Sequence, residues 1–273
     1  MKNKRVSNLT LIIVFFVGVV LLLYPSLSDY WNSFHQSKAI ANYVDDVEEL
    51  DEEQHQTIWN AASEYNRELK ENQISYYLTE EQKENYNSLL NIGGNGIMGY
   101  IEIPSINCFL PIYHGTDDVV LQIAIGHLEW TSLPVGGEST HCVISGHRGL
   151  PSAKLFTDLD RLIVGDKFML QVLDEVLTYE IDQIRIVLPD EIEMLKIEEG
   201  KDYCTLVTCT PYGINSHRLL IRGHRVENLP NAVKIVSDGV RIDPMIVAPI
   251  VSMPVLFVLL MLLLIPKKKK KYE

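Results

Sequence analysis

Residues 205–225 read TLVTCTPYGINSHRLLIRGHR, and this stretch indicates both the local fold and the candidate chemistry of the chain. Thr205–Thr208 is a run of β-forming residues that leads directly into Cys209. Thr210–Ser216 contains a proline, a glycine and an asparagine, which are residues that form turns. His217–Arg222 is a second β run. The stretch therefore predicts two adjacent strands joined by a short loop, with a cysteine where the loop begins.

The second β run carries arginines on one of its two faces. Side chains alternate between the faces of a strand, which sorts the run into two sets. Arg218, Leu220 and Arg222 share one face, and His217, Leu219 and Ile221 share the other. Because Arg218 begins its strand where Cys209 ends the previous one, we expect these two side chains to lie close together. Arg222 lies on the same face and is the second candidate for a cationic role beside the cysteine.

A second segment brings a histidine to the end of a β run. Residues 141–150 read HCVISGHRGL, so a β run delivers His147 into a turn flanked by glycines. A Cys thiolate that attacks a carbonyl, a His that acts as acid and base, and an Arg that stabilises an oxyanion can together perform acyl transfer. The residue types alone leave a buried structural cysteine and a turn histidine open. A metal site formed by His141, Cys142 and His147 is disfavoured, because no Cys-x-x-Cys or His-x-x-x-His spacing supports it.

The pattern of residue types along the chain changes at residues 91–96, NIGGNG. After this point, short runs of β character are separated by Gly, Pro, Asn and Asp, which favours a closed or nearly closed β-barrel. The runs are Met98–Ile103, His141–Ser145, Lys167–Leu173, Leu177–Val187, Tyr203–Cys209 and Arg218–Arg222. Residues 30–90 lack Gly and Pro and are predicted to be helical, with Thr79 as an N-cap and Gln82 three residues later. Ser152–Leu162 is expected to form a short helix between strands.

Uncharged apolar runs stand near both ends of the chain. Leu9–Tyr24 has 16 residues and Ile246–Ile265 has 20, against a requirement of about 20 for a membrane-spanning helix. Basic residues at positions 2, 4 and 5 precede the first run, and Lys267–Lys271 follow the second. The positive-inside rule then places both termini in the cytoplasm and the middle of the chain outside the cell. We expect the first run to be retained as an anchor. A signal peptide cleaved near Ser26-Leu27-Ser28 is the alternative.

Composition excludes several classes of protein. The 273 residues include 24 Lys+Arg and 36 Asp+Glu, so the formal charge is −12, and nucleic acid is not an expected partner. Four cysteines are too few for a disulfide scaffold, and a chain that is 47% hydrophobic is too apolar to be disordered. We expect Cys108, Cys142 and Cys204 to be free buried thiols, with a Cys142–Cys204 disulfide as the alternative.

Residues 209–220, CTPYGINSHRLL, resemble the active-site segment of the sortases, and in particular that of class C, the pilus-assembling sortases. Other segments are similar to the same family and occur in the expected order. They are GYIEIP (99–104), LPIYHGT (110–116), GHLE (126–129), TSLPVGG (131–137), SGHRGLP (145–151) and LFTDL (155–159). The similarity covers residues 91–225, and the two apolar ends are also typical of class C.

The resemblance implies a mainly β fold: a sortase-type closed eight-stranded β-barrel with short helices, preceded by an N-terminal helical region and flanked by two transmembrane helices. It implies a membrane-bound cysteine transpeptidase of a Gram-positive cell. In that enzyme Cys209 would be the nucleophile, His147 the proton donor and acceptor, and Arg218 the stabiliser of oxyanion and substrate. The family cleaves an LPXTG-like sorting signal between Thr and Gly, and a Lys amine of the next pilin subunit resolves the thioester. Neither a metal nor an organic cofactor is expected.

The same resemblance, together with the apolar runs, predicts how the chain is divided. The predicted parts are a cytoplasmic tail (1–8), a first transmembrane helix (9–24), an extracellular helical region in the position of a lid (25–92), the catalytic barrel (93–228), a linker (229–245), a second transmembrane helix (246–265) and a basic cytoplasmic tail (266–273).

The chain departs from class C at the lid. These enzymes often carry an Asp-Pro-aromatic motif that lies over the cysteine, and no such tripeptide occurs between residues 25 and 98. The Asp-Pro at residues 243–244 is followed by Met245, beside the second apolar run. We therefore expect an open or differently closed site, in which Tyr76 and Tyr77 either substitute for the motif or serve in packing.

Three other functions remain open at this point. A housekeeping sortase would join surface proteins to a peptidoglycan amine instead of a pilin Lys. A catalytically silent membrane-tethered scaffold would only bind sorting signals, and a simple cysteine protease would pass its acyl group to water. The second apolar run and the long helical region favour the pilus-assembling alternative.

Overall fold

The computed structural model describes residues 2–72 and 78–228, with side chains for 10–71 and 78–228. Four α-helices occur in this part of the chain: α1 Lys2–Glu48, α2 Glu52–Asn72, α3 Glu80–Ser88 and the short α4 Asp118–Leu121. Eight strands occur there as well: β1 Ile97–Ile103, β2 Cys108–His114, β3 Ile125–His127, β4 Thr140–Ser145, β5 Lys167–Val172, β6 Glu175–Val187, β7 Asp202–Thr210 and β8 His217–Arg225.

The eight strands close into one barrel in the order β1-β2-β3-β4-β7-β8-β6-β5. The pairs β2–β3 and β4–β7 are parallel, and the other pairs are antiparallel. Alternating aliphatic side chains from every strand fill the interior; Ile101, Ile112, Ile144, Leu206 and Ile221 are completely buried. The closed eight-stranded barrel predicted from the sequence is confirmed, and each predicted β run falls on an observed strand.

The predicted helix over Ser152–Leu162 is wrong. The segment is a loop whose regular part is a single 3₁₀ turn, Leu159–Arg161. Leu155 has a φ of +37°, which a right-handed helix does not allow. Leu155, Phe156 and Leu159 are buried in the barrel core, so burial of these side chains overrides the local helical pattern.

Helix α1 is long and continuous, and it runs through Pro25 without a break. Its segment Thr10–Glu48 includes an 18-residue window with a mean hydropathy of 2.5, none of which is buried. Length and composition therefore suit this helix to cross a membrane, as expected for an N-terminal anchor. The second apolar run, 246–265, lies outside the described residues.

Each of the helices α1, α2 and α3 has a buried polar side chain that is bonded to the barrel. Tyr43 of α1 donates to the Met98 carbonyl (3.2 Å) and accepts from the Leu173 amide (2.8 Å). Asn66 of α2 donates to the Leu133 carbonyl (3.0 Å) and accepts from the amide of the same residue (2.7 Å). Tyr86 of α3 donates to Nδ1 of His127 (3.0 Å) and accepts from the Gly115 amide (3.0 Å). The helical region is thus part of the folded domain and not a separate appendage.

Helix α3 begins with the predicted capping box. The Gln82 amide donates to Thr79 Oγ1 (3.3 Å), and the Thr79 amide donates to Gln82 Oε1 (2.8 Å). These two bonds satisfy amide groups that the first turn of a helix leaves without partners. Tyr76 and Tyr77, the candidate substitutes for a lid motif, lie outside the described residues.

Candidate active site

The β7–β8 hairpin sets Cys209 directly opposite Arg218. In an antiparallel pair, residues directly opposite each other project from the same face of the sheet. Leu206 and Ile221, also opposite each other, point into the barrel core, whereas Val207 and Leu220 pack on its outer surface. By alternation, Cys209 and Arg218 belong to the outer face. The predicted proximity of the two residues is confirmed by this register.

The β4–β7 pair brings His147 to the same place. Ser145 is paired with Val207, and the Gly146 amide extends the ladder by donating to the Val207 carbonyl (3.1 Å). The Thr208 hydroxyl donates to the Gly146 carbonyl (2.8 Å). His147 follows Gly146 directly, and Cys209 follows Thr208 directly. The three predicted site residues therefore stand at the end of β4, the end of β7 and the start of β8, and we refer to them as the row.

Gly146 is required by the packing beneath this row. A Cβ atom at Gly146 would come within 2.7 Å of both Ile125 and Phe156 in the core. Gly146 thus faces inward, and the half-buried His147 follows it directly. The His147 carbonyl accepts from the Phe156 amide (3.1 Å), so the loop that follows the histidine folds back onto it.

All three residues of the row lie at one end of the barrel. We call this end the site rim: β4 and β7 end there, and β8 begins there. Because of the pairing directions, β2, β3 and β5 also begin at the site rim, and β1 and β6 end there. The loops that leave this rim are the segments of the chain that can approach a substrate at Cys209.

Two of these loops touch each other beside the cysteine. The Tyr212 ring of the β7–β8 loop lies against Gly149, where a Cβ atom would come within 2.8 Å of it. Gly149 has a φ of +76°, so this position requires glycine for its backbone as well. The Arg148 guanidinium lies 5.7 Å from the centre of the Tyr212 ring and also contacts Asp160. The segments after His147 and after Cys209 therefore form one wall of the site.

Arg218 is available to a developing negative charge. Its Nη1 donates to the carbonyls of Asn215 and His217 (both 3.2 Å), and within the described residues no carboxylate lies within salt-bridge distance of it. Arg222, four residues further along β8, is differently placed. Its guanidinium is bonded to Asp182 (3.0 Å) and to Glu198 (3.2 Å) and stacks on Tyr203 at 4.1 Å. The second candidate is thus engaged in a structural ion-pair network.

A small apolar cluster lies next to Cys209 on the outer face of the sheet. We call it the outer apolar cluster; its buried members are Val143, Val187, Leu195, Val207 and Leu220, and Leu128, Trp130, Ile192 and Met194 flank it. Val207 precedes Cys209 by two residues on the same face, so the cluster begins at the cysteine. This cluster is not among the features predicted from the sequence. Its signal is that outward positions of β4, β7 and β8 are apolar where a solvated face would be polar.

Beyond the outer apolar cluster the face becomes polar. His141 is buried; its Nδ1 donates to the Lys196 carbonyl (2.9 Å) and its Nε2 accepts from the Thr205 hydroxyl (2.7 Å). Burial lowers the pKa of His141 and so favours this neutral form. His141 faces outward and Cys142 inward, which separates two members of the metal site considered above. A cavity lined by Asp202, Tyr203 and His224 lies further along β7, roughly 20 Å from Cys209 at the rise of a strand.

The four cysteines differ in accessibility. Cys108, Cys142 and Cys204 are buried free thiols, and Cys209 is half-buried. Cys142 and Cys204 are paired across β4 and β7, and both side chains lie in the barrel interior. Burial raises the pKa of the Cys108 thiol to about 12 and raises that of Cys204 well above its usual range. Among the four, Cys209 is the thiol that a substrate can reach.

Comparisons with known proteins support the fold and the site described above. The model of the sortase domain matches residues 101–226. The crystal structure of sortase C1 from Streptococcus agalactiae is 54% identical, with a TM-score of 0.69 over 70% of this chain and 100% of that chain. Sortase C from Clostridium perfringens, solved with the C-terminal cell wall sorting motif, is 45% identical, with a TM-score of 0.63 over 70% and 99% of the two chains. Sortase A of Bacillus anthracis is 25% identical over 83% of this chain and 97% of its own length.

The fold and these matches define the class of protein: the chain belongs to the sortase family of cysteine transpeptidases. Its neighbours among solved structures include sortase C enzymes of three Gram-positive species. The resemblance to class C drawn from the sequence is thereby confirmed.

Proposed function

We propose that this chain is a membrane-anchored, pilin-polymerising sortase in which His147, Cys209 and Arg218 are the catalytic residues. The observation that supports the proposal is that Cys209 is paired with Arg218 across β7 and β8, and that β4, which precedes His147, is paired with β7 and ends at the same site rim. The half-exposed Cys209 and an Arg218 without a carboxylate partner among the described residues suit these roles.

The first half of the reaction forms a thioester. The Cys209 thiolate attacks the Thr carbonyl carbon of an LPXTG-like sorting signal, and the Arg218 N–H groups donate to the oxyanion that develops. The Thr–Gly C–N bond then breaks. His147 gives its proton to the leaving Gly amine, and the acyl group remains on Cys209.

The second half transfers the acyl group to an amine. A Lys amine of the next pilin subunit attacks the thioester carbonyl, and His147 accepts a proton from that amine. The C–S bond breaks, Cys209 leaves as thiolate, and an isopeptide bond joins the two subunits. A thioester keeps the acyl group activated, so an amine can compete with water for it.

The outer apolar cluster supports a sorting signal as the substrate. An extended peptide whose Thr carbonyl reaches Cys209 can pack its preceding Leu and Pro side chains against the partly exposed residues that flank the cluster, such as Trp130 and Ile192. The Clostridium perfringens neighbour was itself solved with a cell wall sorting motif. The pilin role rests on likeness to sortase C enzymes, one of which was described with respect to pilin substrate specificity.

The apolar character of α1 supports the anchoring and, with the basic ends, the whole predicted layout. We propose a first span at 9–24 and a second at 246–265, both termini in the cytoplasm, and the helical region (25–92), barrel (93–228) and linker (229–245) outside the cell. The single apolar helix of the described residues accounts for the first span alone.

Mass spectrometry of the full chain in nanodiscs tests the chemistry. Wild type and Cys209→Ala are incubated with an LPXTG-like peptide, alone, with a pilin-derived Lys peptide, or with a peptidoglycan stem-peptide amine. We expect an acyl adduct on wild type that passes to the Lys peptide, and no adduct on Cys209→Ala.

Each rival function has its own outcome in the same experiment. Preferred transfer to the stem-peptide amine would indicate a housekeeping sortase. Release to water without transfer to either amine would indicate a protease. Peptide binding without any adduct would indicate a scaffold and contradict the catalytic assignment.

A further inference from the structure

Helix α1 is bonded to the barrel at the site rim by three polar side chains that lie along one helix face. Asp29 Oδ1 accepts from the Lys154 amide (2.7 Å), and Asn32 Nδ2 donates to the Ser152 carbonyl (2.7 Å). Gln36 Nε2 donates to the Ile123 carbonyl (2.6 Å). All three barrel groups are backbone atoms of loops at the site rim. Two of them belong to the loop that follows His147.

Further along, the same helix reaches the opposite end of the barrel. Tyr43 bonds to Met98, at the start of β1, and to Leu173, just after the end of β5. Helix α1 therefore passes the barrel from the site rim toward the far rim. Its apolar N-terminal part projects beyond the site rim and not beyond the far one.

The number of residues between Leu9 and Asp29 determines how far Asp29 lies from the hydrocarbon layer. The uncharged run begins at Leu9, and about 20 helical residues are needed to cross the layer, which brings the helix to Ser28. Asp29, the first residue beyond that length, is already in contact with the barrel. Tyr30, Trp31 and Phe34 are exposed on the other faces of the helix at this level. Exposed aromatic residues of this kind collect at membrane–water interfaces.

The loops of the site rim are themselves apolar at their tips. Ile163 and Val164, just before β5, are 66% and 61% exposed, and Ile123, just before β3, is 47% exposed. We call these three residues the rim patch. Arg161, beside the patch, is 71% exposed although it contacts Asp158. An exposed apolar loop tip is suited to the interfacial layer of a bilayer.

We propose that the site rim rests on the outer surface of the membrane that α1 enters, with the rim patch in the headgroup layer. Cys209 then opens toward the bilayer surface and not away from it. The occupant of the patch is the lipid interface, because α1, whose exposed apolar part is proposed to enter the membrane, is hydrogen-bonded to both loops that carry the patch. The inference rests on the anchoring proposed above, but not on the catalytic roles.

A depth measurement tests this orientation without using activity. The full chain with Cys209→Ala receives one new cysteine, Val164→Cys at the rim patch or Glu175→Cys at the start of β6 on the far rim. Each variant is labelled with a fluorophore and reconstituted in vesicles of phosphatidylcholine and phosphatidylglycerol, with or without lipids that carry a quencher near the headgroup. The label at residue 164 should be quenched several-fold more than the label at residue 175.

Equal quenching at the two positions, or stronger quenching at residue 175, would overturn the orientation. Vesicle flotation is run on the same samples: a chain that floats but keeps residue 164 in water leaves the anchoring intact and defeats the inference. A chain that does not float contradicts the anchoring and the inference with it. Matched thermal melts establish that both labelled variants are folded.

The three hydrogen bonds are tested by a matched pair of variants. Asp29→Asn keeps an oxygen that can accept from the Lys154 amide, so quenching at residue 164 should be preserved. Asp29→Leu combined with Asn32→Leu and Gln36→Leu removes all three bonds and should reduce it. Unchanged quenching in the triple variant would show that these bonds do not set the height of the site rim.

Discussion

Arg218 and Arg222 share one face of β8, yet their surroundings give them different tasks. The Arg222 guanidinium is bonded to Asp182 and Glu198, so its charge is already compensated. Arg218 is bonded to backbone carbonyls and stands opposite Cys209. A cation that must respond to a new oxyanion has to be free of a permanent carboxylate partner.

Arg218→Lys is therefore expected to lower kcat for acyl-enzyme formation by a factor of about 100 or more, the usual effect of losing an oxyanion donor, with KM little changed. Arg222→Lys is the matched control and should keep kcat close to the wild-type value. Both are measured with an LPXTG-like peptide on the full chain. Equal losses of kcat in the two variants would refute the assignment of the oxyanion role to Arg218.

The four thiols give a second prediction at this scale. Cys209 should react with a methanethiosulfonate reagent at the rate of an accessible thiol, because the site is proposed to be open or differently closed. Cys108, Cys142 and Cys204 should stay unlabelled, since they are buried and the pKa of Cys108 is raised to about 12. Mass spectrometry should show one adduct on wild type and none on Cys209→Ala. Slow labelling of Cys209 that becomes fast after removal of residues 70–90 would mean that the site is closed.

At the scale of elements, α3 is held to the barrel through Tyr86. The hydroxyl group donates to His127 and accepts from the Gly115 amide, and the Nε2–H of that histidine donates to the Ser132 carbonyl (2.8 Å). Burial raises the pKa of Tyr86 well above its usual range, so the hydroxyl stays protonated and remains a donor. This network joins the helix that follows the lid position to the strand β3.

Tyr86→Phe should lower the free energy of unfolding by about 1–3 kcal/mol, because it leaves a buried amide and a buried ring nitrogen without partners. Thermal unfolding of the full chain in detergent should show a lower Tm. Tyr212→Phe, which removes a hydroxyl from an exposed tyrosine, is the control and should leave Tm unchanged. A Tyr86→Phe variant as stable as wild type would show that α3 is held by apolar packing alone.

A structural feature could be predicted from the sequence where the residues that cause it are close together in the chain. Cys209 and Arg218 face each other because two neighbouring β runs alternate around a short loop, and that pattern is visible in the printed residues. The Thr79 cap is equally local. The contact between Asp29 and Lys154 spans 125 residues and follows from how α1 lies on the barrel, for which no local signal exists. The loop at Leu155 differs from the predicted helix because tertiary burial overrides its helical pattern.

At the scale of the whole molecule, the charges at the two ends predict the topology. In a Cys209→Ala background, Asp190→Cys should be labelled by a membrane-impermeant maleimide on intact cells. Tyr272→Cys should be labelled only after the cells are permeabilised, because both termini are proposed to be cytoplasmic. Labelling of residue 272 on intact cells would mean that the second apolar run does not cross the membrane.

The row of His147, Cys209 and Arg218 also limits how the chain can change in length. Side chains alternate with a period of two, so one residue inserted into β7 before Cys209 would turn that thiol from the outer face into the core. The same insertion between Thr210 and His217 would only enlarge a loop that is exposed to solvent. The strands of the row are therefore intolerant of insertions and deletions, whereas the loops of the site rim can vary in length. New substrate preferences can arise in those loops while the three side chains stay in place.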